Sequence, residues 1–404
     1  PKMGADSPGL SQTINAIPEV RWLRSHWDAV RMIVESWAFS RILLTLVAWF
    51  SSYFAGNEIY QQYLSRGYFL SPKWLIDIWC RWDSRWYLSI VQFGYVAPEN
   101  LSTQYSNLAF FPLYPALIKV LTFWLPERFQ TESVYLLTGL ILSNLCFLLA
   151  LTGVYYLADK LFGSISAKRT ILLYFCLPAG FFFSVFYTES LFLFLIVFAF
   201  VYAEKGNWAA AGILAALAAL TRPHGILVLI PLAWIYLSQC DWKLKKVRPD
   251  LLFLCLAPLG VAAYFLYLHQ LTGDFFAFFK AQGSWGRSLG VSFWQDYFEP
   301  LFNRFNRTAT LDTILIFGSL ILSIGVCIKI PRKAYGIYAI ISVLILILTG
   351  NLFSMTRYTA VIFPLYMFAG NVLSNRKYFA ALCCLLAVFQ VLLFSGWVNY
   401  YWIA

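Results

Sequence analysis

Residues 133–158 read SVYLLTGLILSNLCFLLALTGVYYLA, a run without one charged side chain between Glu132 and Asp159. A helix needs roughly 20 apolar residues to cross the hydrocarbon core of a bilayer. Spanning lipid as a helix also satisfies every backbone N–H and C=O within the segment. This stretch therefore predicts a transmembrane helix, and it is not alone. Working outward, candidate spans lie at 34–56, 168–185, 187–204, 207–222, 224–239, 250–269, 311–329, 335–352, 357–373 and 378–397. The composition agrees: 60% of the 404 residues are hydrophobic and 12% charged, against about 25% charged in soluble domains. The mean hydropathy is +0.67. The expected fold class is an all-α polytopic membrane protein of about 11 transmembrane helices, in one domain covering 1–404. A soluble enzyme, a disordered chain and a disulfide scaffold are excluded.

The net charge of +11 reads as topology. Basic residues cluster at Lys160/Lys168/Arg169, Lys243/Lys245/Lys246/Arg248, Lys329/Arg332/Lys333 and Arg376/Lys377, with Arg21, Arg24, Arg31 and Arg41 near the start. Basic loops stay cytoplasmic. All these clusters fall on one side only if the apolar stretch 108–125 does not cross. It is expected to lie in the outer interface, where Pro112 and Pro115 suit a broken entry. The N-terminus is then cytoplasmic. Two outer loops, 57–132 and 270–310, are long enough to carry chemistry. No basic strip interleaved with aromatics suggests nucleic acid, and most of the eight cysteines lie in apolar stretches, where packing is the expected role.

Ionisable groups at membrane ends are functional candidates. The outer side collects several. Asp77-Ile-Trp-Cys-Arg81-Trp82-Asp83-Ser-Arg85-Trp86-Tyr87 sets one carboxylate, Asp83, among guanidinium groups and indoles. The alternative is an interfacial amphipathic helix with snorkelling side chains. Tyr187-Thr-Glu189-Ser opens a span, where Glu189 also suits a helix N-terminus. Thr221-Arg222-Pro-His224 offers an anion site, or a cap. Trp285-Gly-Arg287 and Ser354-Met-Thr-Arg357-Tyr358 each place an arginine beside an aromatic ring, and an arginine at a helix start asks for an anionic partner. One carboxylate base with several cations beside an apolar groove suits a hydroxyl attacking a sugar whose leaving group is a lipid phosphate.

Arg81-Trp-Asp83, Phe110-Phe-Pro-Leu-Tyr114-Pro115, Tyr187-Thr-Glu189-Ser, Thr221-Arg222, Trp285-Gly-Arg287 and Arg357-Tyr358 with Phe363-Pro-Leu-Tyr366 resemble the PIG-V-type mannosyltransferase family. The resemblance implies a GT-C-like bundle with interfacial helices and a base carboxylate in the first outer loop. It implies a polyprenyl- or dolichyl-phosphate mannose donor and a hydroxyl-bearing glycolipid or glycan acceptor. The short connecting loops suggest a bacterial relative, placing the protein in an inner membrane with its site on the periplasmic side (the lumenal side of the endoplasmic reticulum for a eukaryotic one). Asp83 is the expected base. Arg357, Arg222 and Arg287 are expected at the donor phosphate. Arg81, Trp82, Arg85, Trp86, Tyr87, Tyr114, Glu189, His224, Trp285 and Tyr358 are expected around donor and acceptor. With no Asp-x-Asp pair in evidence, neither a metal nor a cofactor is expected. A lipid-linked sugar transporter or flippase is the rival class, but no internal repeat supports it. A GT-C transferase for another sugar and a non-catalytic assembly subunit are further alternatives.

Overall fold

The computed structural model describes residues 26–54, 68–101, 103–286, 307–348, 354–401 and 403. Every regular element among them is helical. Five helical segments are long and apolar enough to cross a membrane: Trp27–Tyr53, Glu132–Phe162, Pro249–Thr272, Asp312–Lys329 and Arg376–Val398. The chain is an integral membrane protein.

We number the α-helices in chain order. Helix α1 (Trp27–Phe54) is followed by a first long connection, which carries α2 (Trp74–Asp77), α3 (Ser84–Phe93) and α4 (Leu113–Phe123). Helix α4 has 11 residues, about 17 Å at 1.5 Å per residue. Like Trp208–Ala219, it is one of the shorter apolar helices among the described residues. Helix α5 (Glu132–Phe162) is the long span whose sequence opened the reading. Helices α6 (Ser164–Cys176), α7 (Glu189–Glu204), α8 (Trp208–Ala219), α9 (Leu229–Gln239) and α10 (Leu256–Thr272) follow. Short α11 (Ala277–Ser284) lies in a second long connection. Then come α12 (Arg307–Lys329), α13 (Lys333–Leu348), α14 (Met355–Ala360), α15 (Phe363–Val372) and α16 (Arg376–Val398).

Two expected spans are not continuous helices. The span 168–185 stops at Cys176, because Leu177 precedes Pro178 and takes an extended conformation (φ −55°, ψ 136°). The chain then makes a short 3₁₀ turn, Gly180–Phe183, before α7. This tip is packed into the bundle: Phe181, Phe182, Phe183, Val185 and Phe186 are at most 1% exposed. Irregular backbone is tolerated at such depth when protein covers it. The span 357–373 likewise divides between α14 and α15, with Pro364 in the first turn of α15.

These breaks build one end of the bundle. Phe186 N–H donates to Trp79 O (3.2 Å), tying the tip to the first long connection, and Leu113 N–H donates to Leu220 O (3.0 Å), tying α4 to the end of α8. Trp397 Nε1 donates to Ile78 O (3.1 Å), bringing α16 to the same place. At the opposite end of α7, buried Glu204 pairs with Lys160 (3.8 Å) and with Arg332. Arg169 there donates to Ser374 O (2.7 Å). The basic loops and the polar tip thus occupy opposite ends of the bundle.

Candidate active site

Asp83 precedes α3 at its N-cap, where an aspartate side chain ordinarily accepts a bond from the first-turn N–H groups. Here the side chain makes no capping bond. Its Oδ2 accepts instead from Arg357 Nη1 at 2.9 Å, across 274 positions of sequence. The backbone is shaped for this. Trp82, a residue with a bulky side chain, sits at φ 50°, a region such residues rarely adopt outside functional or strained positions. The Tyr187 hydroxyl accepts from Asp83 N–H (3.1 Å) and donates to Arg81 O (3.2 Å), pinning the bend.

Arg357 sits in α14, behind Ser354, whose φ of 71° turns the chain into the helix. Its Nη2 donates to the Tyr358 hydroxyl (3.3 Å), and its Nε lies 3.1 Å from Glu189 Oε1. The guanidinium also stands over the Tyr187 and Tyr358 rings at 5.0 and 5.2 Å.

Glu189 opens α7 and is 1% exposed. Its Oε1 also accepts from Arg222 Nη2. Arg222 is extended (φ −151°, ψ 146°) because Pro223 follows it. Its Nε donates to Thr188 Oγ1 at 2.9 Å, and that hydroxyl lies 3.3 Å from the Tyr87 hydroxyl. Burial pushes the Tyr87 phenol above its usual range, so Tyr87 is a neutral hydrogen-bonding group here. The turn after Arg222 lies hard against α8: a Cβ on Gly225 would stand 2.3 Å from Ala218 O.

Over these charges opens a cavity of about 380 Å³. Asp83, Tyr87, Arg222, His224, Trp285, Arg357 and Tyr358 line it, joined by Tyr105, Phe110, Phe111, Gln282 and Ser354. One wall is aromatic. The Trp285 ring lies 4.7 Å from Tyr105, 5.7 Å from Trp86 and 5.8 Å from Phe110. His224 packs edge-on to Phe192 at 4.8 Å. Gln282 donates to Ala109 O (2.8 Å) and fastens the second long connection to the first.

Other expected site residues lie elsewhere. Arg81 is 1% exposed and directed away from the cavity: its Nη1 donates to Asp77 Oδ2 (2.9 Å), and its guanidinium covers the Tyr400 ring at 4.4 Å. Asp77 in turn accepts from the N–H groups of Leu70 and Ser71, so this pair organises the loop. Tyr114 is wholly buried, donating to Gly139 O (2.9 Å) and sharing a hydrogen bond with Ser143 (2.9 Å), which fastens α4 to α5. Arg85 is exposed and Trp82 half-buried outside the cavity wall. Glu189 lies beneath the cavity rather than on its wall. Arg287 lies outside the described residues. Tyr105 was not singled out from sequence, and Tyr187 and Thr188 entered only as part of the Tyr187-Thr-Glu189-Ser motif, without a role of their own.

A bundle of membrane helices with paired carboxylates and guanidiniums under an aromatic-walled cavity at one end defines a polytopic membrane protein with a candidate site at that end. The chain belongs to the PIG-V mannosyltransferase family: the family model described as "Mannosyltransferase (PIG-V)" matches residues 69–280, just over half its length. It is 32% identical to mouse "GPI alpha-1,6-mannosyltransferase 2" over 164 residues, covering 40% of this chain and 31% of the mouse protein. The rat protein of the same name is 32% identical over 168 residues, with the same coverage. The matched region thus spans about a third of those relatives. Among solved structures, ArnT from Cupriavidus metallidurans in the apo state aligns over 85% of this chain and 61% of its own, at 19% identity and a TM-score of 0.48. The Archaeoglobus fulgidus oligosaccharyltransferase aligns over 88% and 53%, at 14% identity and a TM-score of 0.46.

Proposed function

We propose that this protein transfers a mannosyl residue from a polyprenyl- or dolichyl-phosphate donor to a hydroxyl of a lipid-linked or glycan acceptor. The observation that carries the reading is Asp83 on the cavity wall, 2.9 Å from Arg357. Family membership supports the reaction class. The acceptor hydroxyl oxygen attacks the anomeric carbon, and its proton passes to the Asp83 carboxylate. The bond from that carbon to the phosphate oxygen breaks, and the lipid phosphate departs with the electron pair. One displacement inverts the configuration. A single base suffices, because phosphate leaves without a proton from a second acid.

The charge that grows on the leaving phosphate is met by Arg357 and Arg222. A guanidinium fork suits phosphate oxygens, and a site screened from water strengthens the interaction. Trp285, with Tyr87 and Trp86 beside it, offers faces for the apolar side of a sugar ring. The separation of this end from the basic loops supports a non-cytoplasmic site. The test is incubation of the purified protein with polyprenyl-phosphate mannose and a hydroxyl-bearing glycolipid. The reading expects released polyprenyl phosphate and a mannosylated product of inverted configuration. Donor left intact in the presence of acceptor, or carried across the bilayer unchanged, contradicts it.

A further inference from the structure

Four buried charges balance beneath the cavity: Asp83 and Glu189 against Arg222 and Arg357, each at most 9% exposed. Three of them reach the cavity wall, while Glu189 does not. Glu189 grips both guanidiniums from below, whereas Asp83 holds Arg357 from the cavity side. Arg222 keeps one buried nitrogen, Nη1, without a hydrogen-bond partner.

A phosphate entering this cavity is an anion approaching a guanidinium already claimed by an anion. Arg357 Nη1 donates to Asp83 at 2.9 Å, and a carboxylate so engaged has less capacity to accept an acceptor proton. Phosphate oxygens and Asp83 compete for the same donor. Glu189, out of reach of the ligand, remains under both arginines whichever of the two holds Arg357. We propose that donor phosphate draws Arg357 away from Asp83 and thereby releases the base, so that the carboxylate becomes competent only when donor is in place. The inference rests on the phosphate-donor reading above and adds an order of events to it. An empty site then holds its base neutralised.

The test is binding of polyprenyl phosphate to purified protein in nanodiscs, with phosphate-free polyprenol as the control. Competition predicts that Asp83→Asn, which removes the rival anion but keeps its shape, binds polyprenyl phosphate about tenfold more tightly than the wild type. On an Arg357→Gln background, where no cation is left for the two anions to share, the same change is expected to give little or no tightening. Asp83→Ser serves if the asparagine variant does not purify as a folded protein, and shifts affinity in the same direction. Equal or weaker binding by Asp83→Asn overturns the exchange while leaving the phosphate donor standing. Tightening that persists on the Arg357→Gln background also overturns it, because the gain then reflects lost repulsion alone. Absence of phosphate-dependent binding in both wild type and variants removes the donor reading itself.

Discussion

Replacing Glu189 by glutamine probes the charge balance of the site directly. Glu189 is 1% exposed and faces two guanidiniums, Arg222 and Arg357, themselves 6% and 5% exposed. Without its charge, two buried cations share one carboxylate, Asp83. Breaking a buried ion pair by removing one partner costs about 3–5 kcal/mol, because the remaining charge stays desolvated. Glutamine keeps the volume and one acceptor oxygen, so Glu189→Gln belongs near the lower figure, about 3 kcal/mol. Glu189→Ala also empties space and belongs at or above the upper one. Asp83 borders the cavity, so Asp83→Asn costs less stability than Glu189→Gln. Thermal or denaturant unfolding of the purified variants in detergent measures all three. Glu189→Gln unfolding with the wild type, or Asp83→Asn proving the more damaging to stability, would refute the view that Glu189 is the buried counter-charge for both arginines.

Three other variants separate packing from chemistry. Gly225→Ala forces a Cβ to within 2.3 Å of Ala218 O; this overpacking costs about 1–3 kcal/mol and raises the donor KM by displacing Arg222, read by unfolding and by kinetics. Tyr114→Phe removes the bonds to Gly139 O and Ser143, lowering stability by about 1 kcal/mol while KM and kcat stay unchanged; a large change in KM would return Tyr114 to the site. Trp285→Ala strips the aromatic wall at its centre and is expected to weaken donor or acceptor binding about tenfold with little loss of global stability, as measured by KM and by melting temperature.

The fold was legible in the sequence where apolar runs were long. The run 133–158 needed nothing but its length, and α5 covers it. The interruptions after Cys176 and at Pro364 also have local causes, prolines that apolar counting passes over. The burial of the tip 177–188 has no local cause, since it depends on the helices around it. Within the site, residue type pointed to Asp83, Arg222 and Arg357, because charges at span ends are rare. Which carboxylate meets which guanidinium was not legible: Asp83 and Arg357 are 274 positions apart. The Asp77–Arg81 pair was within reach, the two residues being only four positions apart in sequence, and would have turned Arg81 away from the substrate. Tyr187 and Thr188 belonged to a motif that drew attention through Glu189, but their own hydrogen bonds were not legible, because a hydroxyl among many aromatics is ordinary until a backbone bends around it.

Turnover of Asp83→Asn tests the central claim most directly. Folded, membrane-reconstituted enzyme is supplied with polyprenyl-phosphate mannose and acceptor, and release of polyprenyl phosphate is followed beside the wild type. Loss of a general base predicts a fall of about 10²–10⁴ in kcat, with the donor still bound. Turnover within a few-fold of the wild type would contradict the account and take Asp83 out of the reaction.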